Sequence, residues 1–116
     1  MPSRSPLGAL EDIRRNIELA QAFVEAFTFE QFCLDRRTAY AVIRCLEIIS
    51  EASRKLPEDL KARHPQIPWI DIAAAGNVYR HNYENVLDQI IWRTVQHSLD
   101  PLRNVVAREL AALRQQ

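Results

Sequence analysis

The sequence predicts an all-α protein, a four-helix up-and-down bundle with short accessory helices, and three observations predict it. Apolar residues recur at alternating steps of three and four over long stretches, the period of a helix buried along one face. No run alternates convincingly at period two, as a half-buried strand would. Only two glycines occur in 116 residues, too few for a sheet with many tight turns. Hydrophobic residues make up 47% and charged residues 26%, the balance of an ordinary globular chain, so one domain over residues 1–116 with a single core is expected.

The first long helix opens at Ser5-Pro6, a capping side chain followed by proline at the first helical position. Its apolar positions are Leu10, Ile13, Ile17, Ala20, Val24 and Phe27. Thr28-Phe29-Glu30-Gln31 has the form of a capping box and starts a short helical turn to Leu34. Asp35 caps the next long helix, whose stripe is Ala39, Val42, Leu46, Ile49 and Leu56, and Pro57 marks its end. The polar connector from Pro57 to His64 predicts one or two helical turns. Pro65-Gln66-Ile67-Pro68 predicts extended backbone, because residues before proline avoid the helical region.

Pro68 opens a third long helix, Trp69-Ile70-Asp71-Ile72-Ala73-Ala74-Ala75-Gly76 and onward. Asn85, with Asp88 three residues on, has the spacing of a cap for the last long segment. Apolar positions there are Val86, Ile90, Val95, Leu99, Leu102, Val105, Val106 and Leu110. Asp100-Pro101 falls inside it and should bend or split it, since proline lacks a helical donor and clashes with the preceding turn. Trp69 and Trp92 are expected in the core, and His64 and His97 in water near helix ends.

Fifteen basic residues balance fifteen acidic ones, so the chain is no polycation, and any nucleic-acid contact must come from a local patch. Arg36-Arg37, Arg103, Arg108 and Arg114 read as solvated or ion-paired positions. Cys33 and Cys45 lack metal-ligand spacing, and reduced thiols are expected rather than a disulfide or metal site. No cofactor is expected. No secretory leader follows Met1-Pro2-Ser3-Arg4 and no apolar run reaches membrane-spanning length, so a cytoplasmic location away from any membrane is expected.

The candidate functional residues gather in Gly76-Asn77-Val78-Tyr79-Arg80-His81-Asn82-Tyr83, where an apolar, alanine-rich helix turns abruptly polar. At about 100° per residue, Asn77 and His81 lie about 40° apart, and Arg80 lies about 60° to the other side of Asn77. An amide, a guanidinium and an imidazole thus share a face, the side-chain types that bind phosphate and move protons. Ala73 and Gly76 line the same side, which would let a ligand approach the backbone. On a continuous helix Tyr83 would point about 200° from His81. Either the helix ends near His81, or Tyr83 serves a separate purpose.

These residues, together with Leu10-Glu11-Asp12-Ile13, Phe29-Glu30-Gln31-Phe32, Leu46-Glu47-Ile48-Ile49-Ser50-Glu51-Ala52, His64-Pro65-Gln66-Ile67-Pro68-Trp69 and Ile91-Trp92, carry a resemblance over nearly the whole chain. The sequence resembles the HepT-type HEPN proteins (the group once called DUF86), the toxin halves of HEPN/MNT toxin–antitoxin pairs. The family signature is an arginine, usually followed by asparagine, then a histidine and a tyrosine two residues later. Asn77, His81 and Tyr83 fall on the last three positions, while Gly76 stands where the arginine would be.

The resemblance implies a HEPN-like bundle that forms a homodimer and cleaves RNA without a metal ion at a shared cleft. His81, Arg80 and Asn77 would be the catalytic group, with Arg80 supplying the cation that Gly76 lacks. It also implies a cognate MNT-type nucleotidyltransferase that silences the toxin by transferring AMP onto Tyr83. The alternative, from another functional class, is a catalytically weak subunit that binds a nucleotidyltransferase.

Overall fold

The structure, a computed structural model, describes residues 5–80 and 84–116. Helix α1 spans Leu7–Val24, α2 Phe29–Leu34, α3 Arg36–Arg54, α4 Glu58–Ala62, α5 Trp69–Arg80, α6 Glu84–Arg93 and α7 Leu99–Arg114, with a π-helical segment at Thr94–Ser98 between the last two. The fold is all-α, as expected, with no strand among the described residues. No helix among them is long and apolar enough to cross a membrane.

The caps of α2 and α3 form where the sequence places them, whereas α1 begins one residue later than expected, with Pro6 rather than Ser5 at its cap position. Leu7 N donates to Ser5 Oγ at 3.2 Å ahead of α1. Thr28 and Gln31 complete a reciprocal capping box on α2. Asp35 accepts from Thr38 N at 3.0 Å and so satisfies a donor that the first turn of α3 would leave orphaned.

Helix α1 lies between α3 and α7. It runs antiparallel to α7, since Gln21 Nε2 donates to Asp100 Oδ1 at 2.8 Å while Arg103 stands 3.9 Å from Glu18. Leu10, Ile13, Ile17 and Ala20 of α1 meet Val42, Leu46 and Ile49 of α3 and Leu102, Val106 and Leu110 of α7 in one buried core. Fully burying an aliphatic side chain of this size contributes about 1.5–3 kcal/mol, so the period-3.6 stripe is what holds these helices together. Phe32 is fully buried, and its ring stands 5.4 Å from that of Trp92, which docks α2 onto α6. Trp69 is half-buried against the core and donates its indole N–H to the carbonyls of Lys61 and His64.

Several expectations need correction. Residues 65–68 are not extended, because Ile67 N donates to the His64 carbonyl at 3.2 Å and closes a turn. Pro65 occupies the second position of that turn, where its fixed φ is favoured. His64 is buried rather than solvated, with Nε2 2.6 Å from Glu109 Oε2. Asp88 is no partner in a cap: it is buried and takes a bidentate ion pair from Arg36, at 2.8 and 3.1 Å. Val86 is exposed, and the buried apolar positions of α6 are one residue further on, at Leu87 and Ile91.

The interruption expected around Asp100-Pro101 is present, but it takes the form of π turns immediately upstream. Pro101 follows the π turns within one unbroken helical run, and the carbonyl that its absent N–H would have met, four residues earlier, lies in those wider turns. Cys33 is half-buried and Cys45 buried, both as free thiols, and burial pushes both thiols up.

Glu109 ties α7 to the end of α4. Arg63 Nη2 bonds one of its oxygens at 2.7 Å, and His64 bonds the other. The Arg63 hydrogen bond, helped by His64, holds the carboxyl below its ordinary value of 4.5. A depressed carboxylate contributes stability that is present above its unfolded value and lost as pH falls through the folded one. Glu109→Gln should therefore lower the urea midpoint at pH 7 and flatten its decline below about pH 4.5. An unchanged acid limb in the variant would show that other carboxylates carry it.

Candidate functional site

Helix α5 packs chiefly on α3 and runs antiparallel to it. Ser50 Oγ donates to the Ala73 carbonyl at 3.1 Å, and Arg54 Nη1 donates to the same oxygen at 2.7 Å. A Cβ placed on Gly76 would lie 3.7 Å from Ser50 Oγ, an ordinary contact. The small residues at 73 and 76 thus admit α3, not a ligand, to the α5 backbone. This corrects the expected approach path, and the reason is close helix packing over a buried serine.

Asn77 and Arg80 are exposed on the last turn of the same helix. The helix is continuous to Arg80, so their shared side survives in the fold. Arg80 Nε stands 3.8 Å from Glu47 Oε2 of α3, with two-thirds of its side chain in solvent. The other Glu47 oxygen stands 3.9 Å from Arg44 Nη1. A half-buried carboxylate therefore spaces two guanidiniums that would otherwise repel. His81 and Tyr83 lie outside the described residues.

Tyr79 separates from the cluster. It points about 160° away from Asn77 around the helix and is buried, and burial pushes its phenol up to about 12. There it lines a cavity of about 470 Å³ bounded by α3, α5, the π segment and α7. Leu46, Ile49, Ile72 and Leu102 form apolar walls, with Asp71 and His97 among the polar lining. No lysine or arginine lines this cavity, so it is not built for a phosphate. Any phosphate chemistry belongs on the Asn77–Arg80 side.

Two partners of this region were not foreseen. Glu47 lies 33 residues before Arg80, and Arg36 lies 52 residues before Asp88, separations across which no helical periodicity reports contact. Arg80 lies within the polar motif and Asp88 follows it in α6, and each ties its own helix to α3, at Glu47 and Arg36.

The chain belongs to the ribonuclease HepT-like family, whose model matches residues 13–109. A protein of Thermococcus cleftensis named "Probable ribonuclease HepT" is 42% identical over 100 residues, covering 86% of this chain and 91% of that one. A relative from Methanocaldococcus jannaschii, whose name gives it provisionally as an RNase, is 38% identical over 95 residues, covering 82% of this chain and 78% of its own. Another of that kind, from Caldanaerobacter subterraneus, is 33% identical and covers 89% and 92%. No solved structure matches the chain significantly.

Proposed function

We propose that this chain is the ribonuclease toxin of a HEPN/MNT toxin–antitoxin pair, a homodimer that cuts RNA at a cleft shared by its two copies. The observation that carries the proposal is the exposed pair Asn77 and Arg80 on the last turn of α5, immediately ahead of His81, in a chain of the HepT-like family. In the reaction a base takes the proton of a ribose 2′-hydroxyl, and its oxygen attacks the adjacent phosphorus. The bond from phosphorus to the 5′-oxygen breaks, an acid protonates that oxygen, and a 2′,3′-cyclic phosphate remains. No metal ion enters this scheme.

His81 is the one side chain of the motif whose ordinary titration range brackets neutral pH, so it is assigned base or acid. One histidine cannot serve as both in a single pass, and a two-fold dimer supplies the second copy. Arg80 stabilises the phosphorane charge through its fixed donors, and Asn77 orients the histidine or donates to a phosphate oxygen. The outward face of α5 also presents Ile70, which is 86% exposed, with Ala74 and Val78, an apolar stripe suited to a second copy. AMP on Tyr83, added by the cognate nucleotidyltransferase, would bring negative charge that competes with RNA for Arg80.

Gly76, standing where the family signature has arginine, favours a second reading: a weak or inactive subunit that binds the nucleotidyltransferase. One experiment separates the two. The purified chain, with a chelator present, is incubated with single-stranded RNA while its mass is followed by light scattering at micromolar concentration. Cyclic phosphate ends and a dimeric mass are expected. Intact RNA would overturn the nuclease reading, and a clean monomer would remove the shared cleft.

A further inference from the structure

An RNA strand crossing the end of α5 must continue over neighbouring surface, and α3 carries a face suited to it. Arg37, Tyr40, Arg44 and Glu47 follow one another at steps of three and four. At about 100° per residue they fall within a sector about 80° wide, and they extend about 15 Å along the helix. Tyr40 is 61% exposed, an uncommon setting for a phenol ring with no core to join. The Arg36 guanidinium lies over that ring, 5.9 Å from its centroid. Arg36 is in turn fixed by its fork onto buried Asp88. The ring is thus held from one side and open on the other.

Arg37 and Arg44 flank the ring, both exposed, and Arg37 has no ion pair with a described residue. Asp35, the nearest carboxylate in the chain, is occupied in capping α3. At the far end Glu47 joins Arg44 to Arg80, so the line is continuous with the candidate centre.

We infer that Arg37, Tyr40 and Arg44 form a track for single-stranded RNA that leads to Arg80, a proposal that rests on the nuclease reading. Tyr40 stacks an unpaired base, while Arg37 and Arg44 hold the phosphates on either side. The occupant is a single strand because a duplex keeps its base faces covered, and an exposed ring would gain nothing from it. It is a strand rather than a mononucleotide because the guanidiniums are spread over several residues of helix instead of converging on one point.

The test measures binding and cleavage separately, on full-length protein, with a fluorescently labelled single-stranded RNA of a dozen nucleotides. Tyr40→Ala should weaken binding by about 5- to 100-fold, and Tyr40→Phe should not, since stacking needs the ring and not the hydroxyl. The double variant Arg37→Ala/Arg44→Ala should reduce the slope of log affinity against log salt by about 1.4, two single-strand phosphate contacts. A dinucleotide bound at Arg80 does not extend to Tyr40, so Tyr40→Ala should cut it at the wild-type rate, whereas Arg44, which shares Glu47 with Arg80, is judged by binding alone. Thermal melts of each variant guard against unfolding.

Wild-type RNA affinity in folded Tyr40→Ala and in the double variant, with cleavage intact, overturns the track and leaves the nuclease standing. Binding that depends on Arg37, Tyr40 and Arg44 in a protein that cuts nothing retains the track and removes the nuclease. A dimer that dissociates in Tyr40→Ala with RNA affinity unchanged makes this face a protein interface and overturns the proposal.

Discussion

His81→Ala is expected to lower RNA cleavage by about 10²–10⁴-fold, the range for losing a positioned acid–base group. Arg80→Ala should lower it by about 10²–10³-fold, the range for losing one preorganised donor to the developing charge. Arg80→Lys should restore little, because an ammonium cannot offer the paired donors of a guanidinium. Both losses should relieve any growth arrest caused by the chain expressed without its partner.

The converse variant is Gly76→Arg. The 3.7 Å separation from Ser50 Oγ leaves room for its Cβ, and removing a helical glycine should add about 0.5–1 kcal/mol of stability. A thermal melt of the variant shows whether the remainder of the arginine side chain is accommodated beside α3. Raised cleavage would identify a nuclease weakened by the glycine, while unchanged cleavage would mean that Arg80 already supplies the cation. Full activity in His81→Ala would sink the whole assignment.

The second large effect concerns Arg36. Its side chain is about one-third exposed, whereas that of Asp88 is 5% exposed, so the guanidinium brings the charge that keeps the carboxylate tolerable inside. Arg36→Ala leaves that charge uncompensated and should destabilise the fold by about 3 kcal/mol. At roughly 4 °C per kcal/mol for a chain of this length, the midpoint of thermal unfolding should fall by about 12 °C. Arg36→Met combined with Asp88→Leu should recover most of the loss, because two apolar groups leave nothing unsolvated. A single variant within about 0.5 kcal/mol of wild type would show that water already reaches Asp88.

Local chemistry was legible in the sequence. The Thr28–Gln31 capping box, the Asp35 cap and the stripes of α1 and α3 depend on residues within one or two turns, and they stand where spacing puts them. What was not legible depends on distant partners. His64 has polar neighbours in sequence, yet it is buried because Glu109 meets it from 45 residues away. Asp88 has cap-like spacing, yet Arg36 draws it inside. Small residues at Ala73 and Gly76 are consistent with ligand approach or helix approach, and only the position of α3 decides between them. On the candidate site, spacing placed Asn77 and Arg80 on one exposed side, but it did not show that Glu47 holds Arg80.

The misplaced stripe of α6 has its own cause. Leu87, Ile91, Val95 and Leu99 are all buried, at three successive steps of four. On a plain α-helix each such step drifts about 40°, or about 120° in total, and the stripe would wind off the core. The wider turns at Thr94–Ser98 absorb that drift, so phase counted from α7 backward is wrong by one residue in α6.

That segment therefore behaves as a one-residue insertion stored in the helix rather than looped out of it. Removing a residue between 94 and 98 would return the steps to alternating threes and fours and keep the same faces of α6 and α7 inward, with Pro101 still bending the run. Chain length is thus negotiable at this point of the fold, and kindred chains one residue shorter here, with no proline at the position of Pro101, are expected to carry a straight helix.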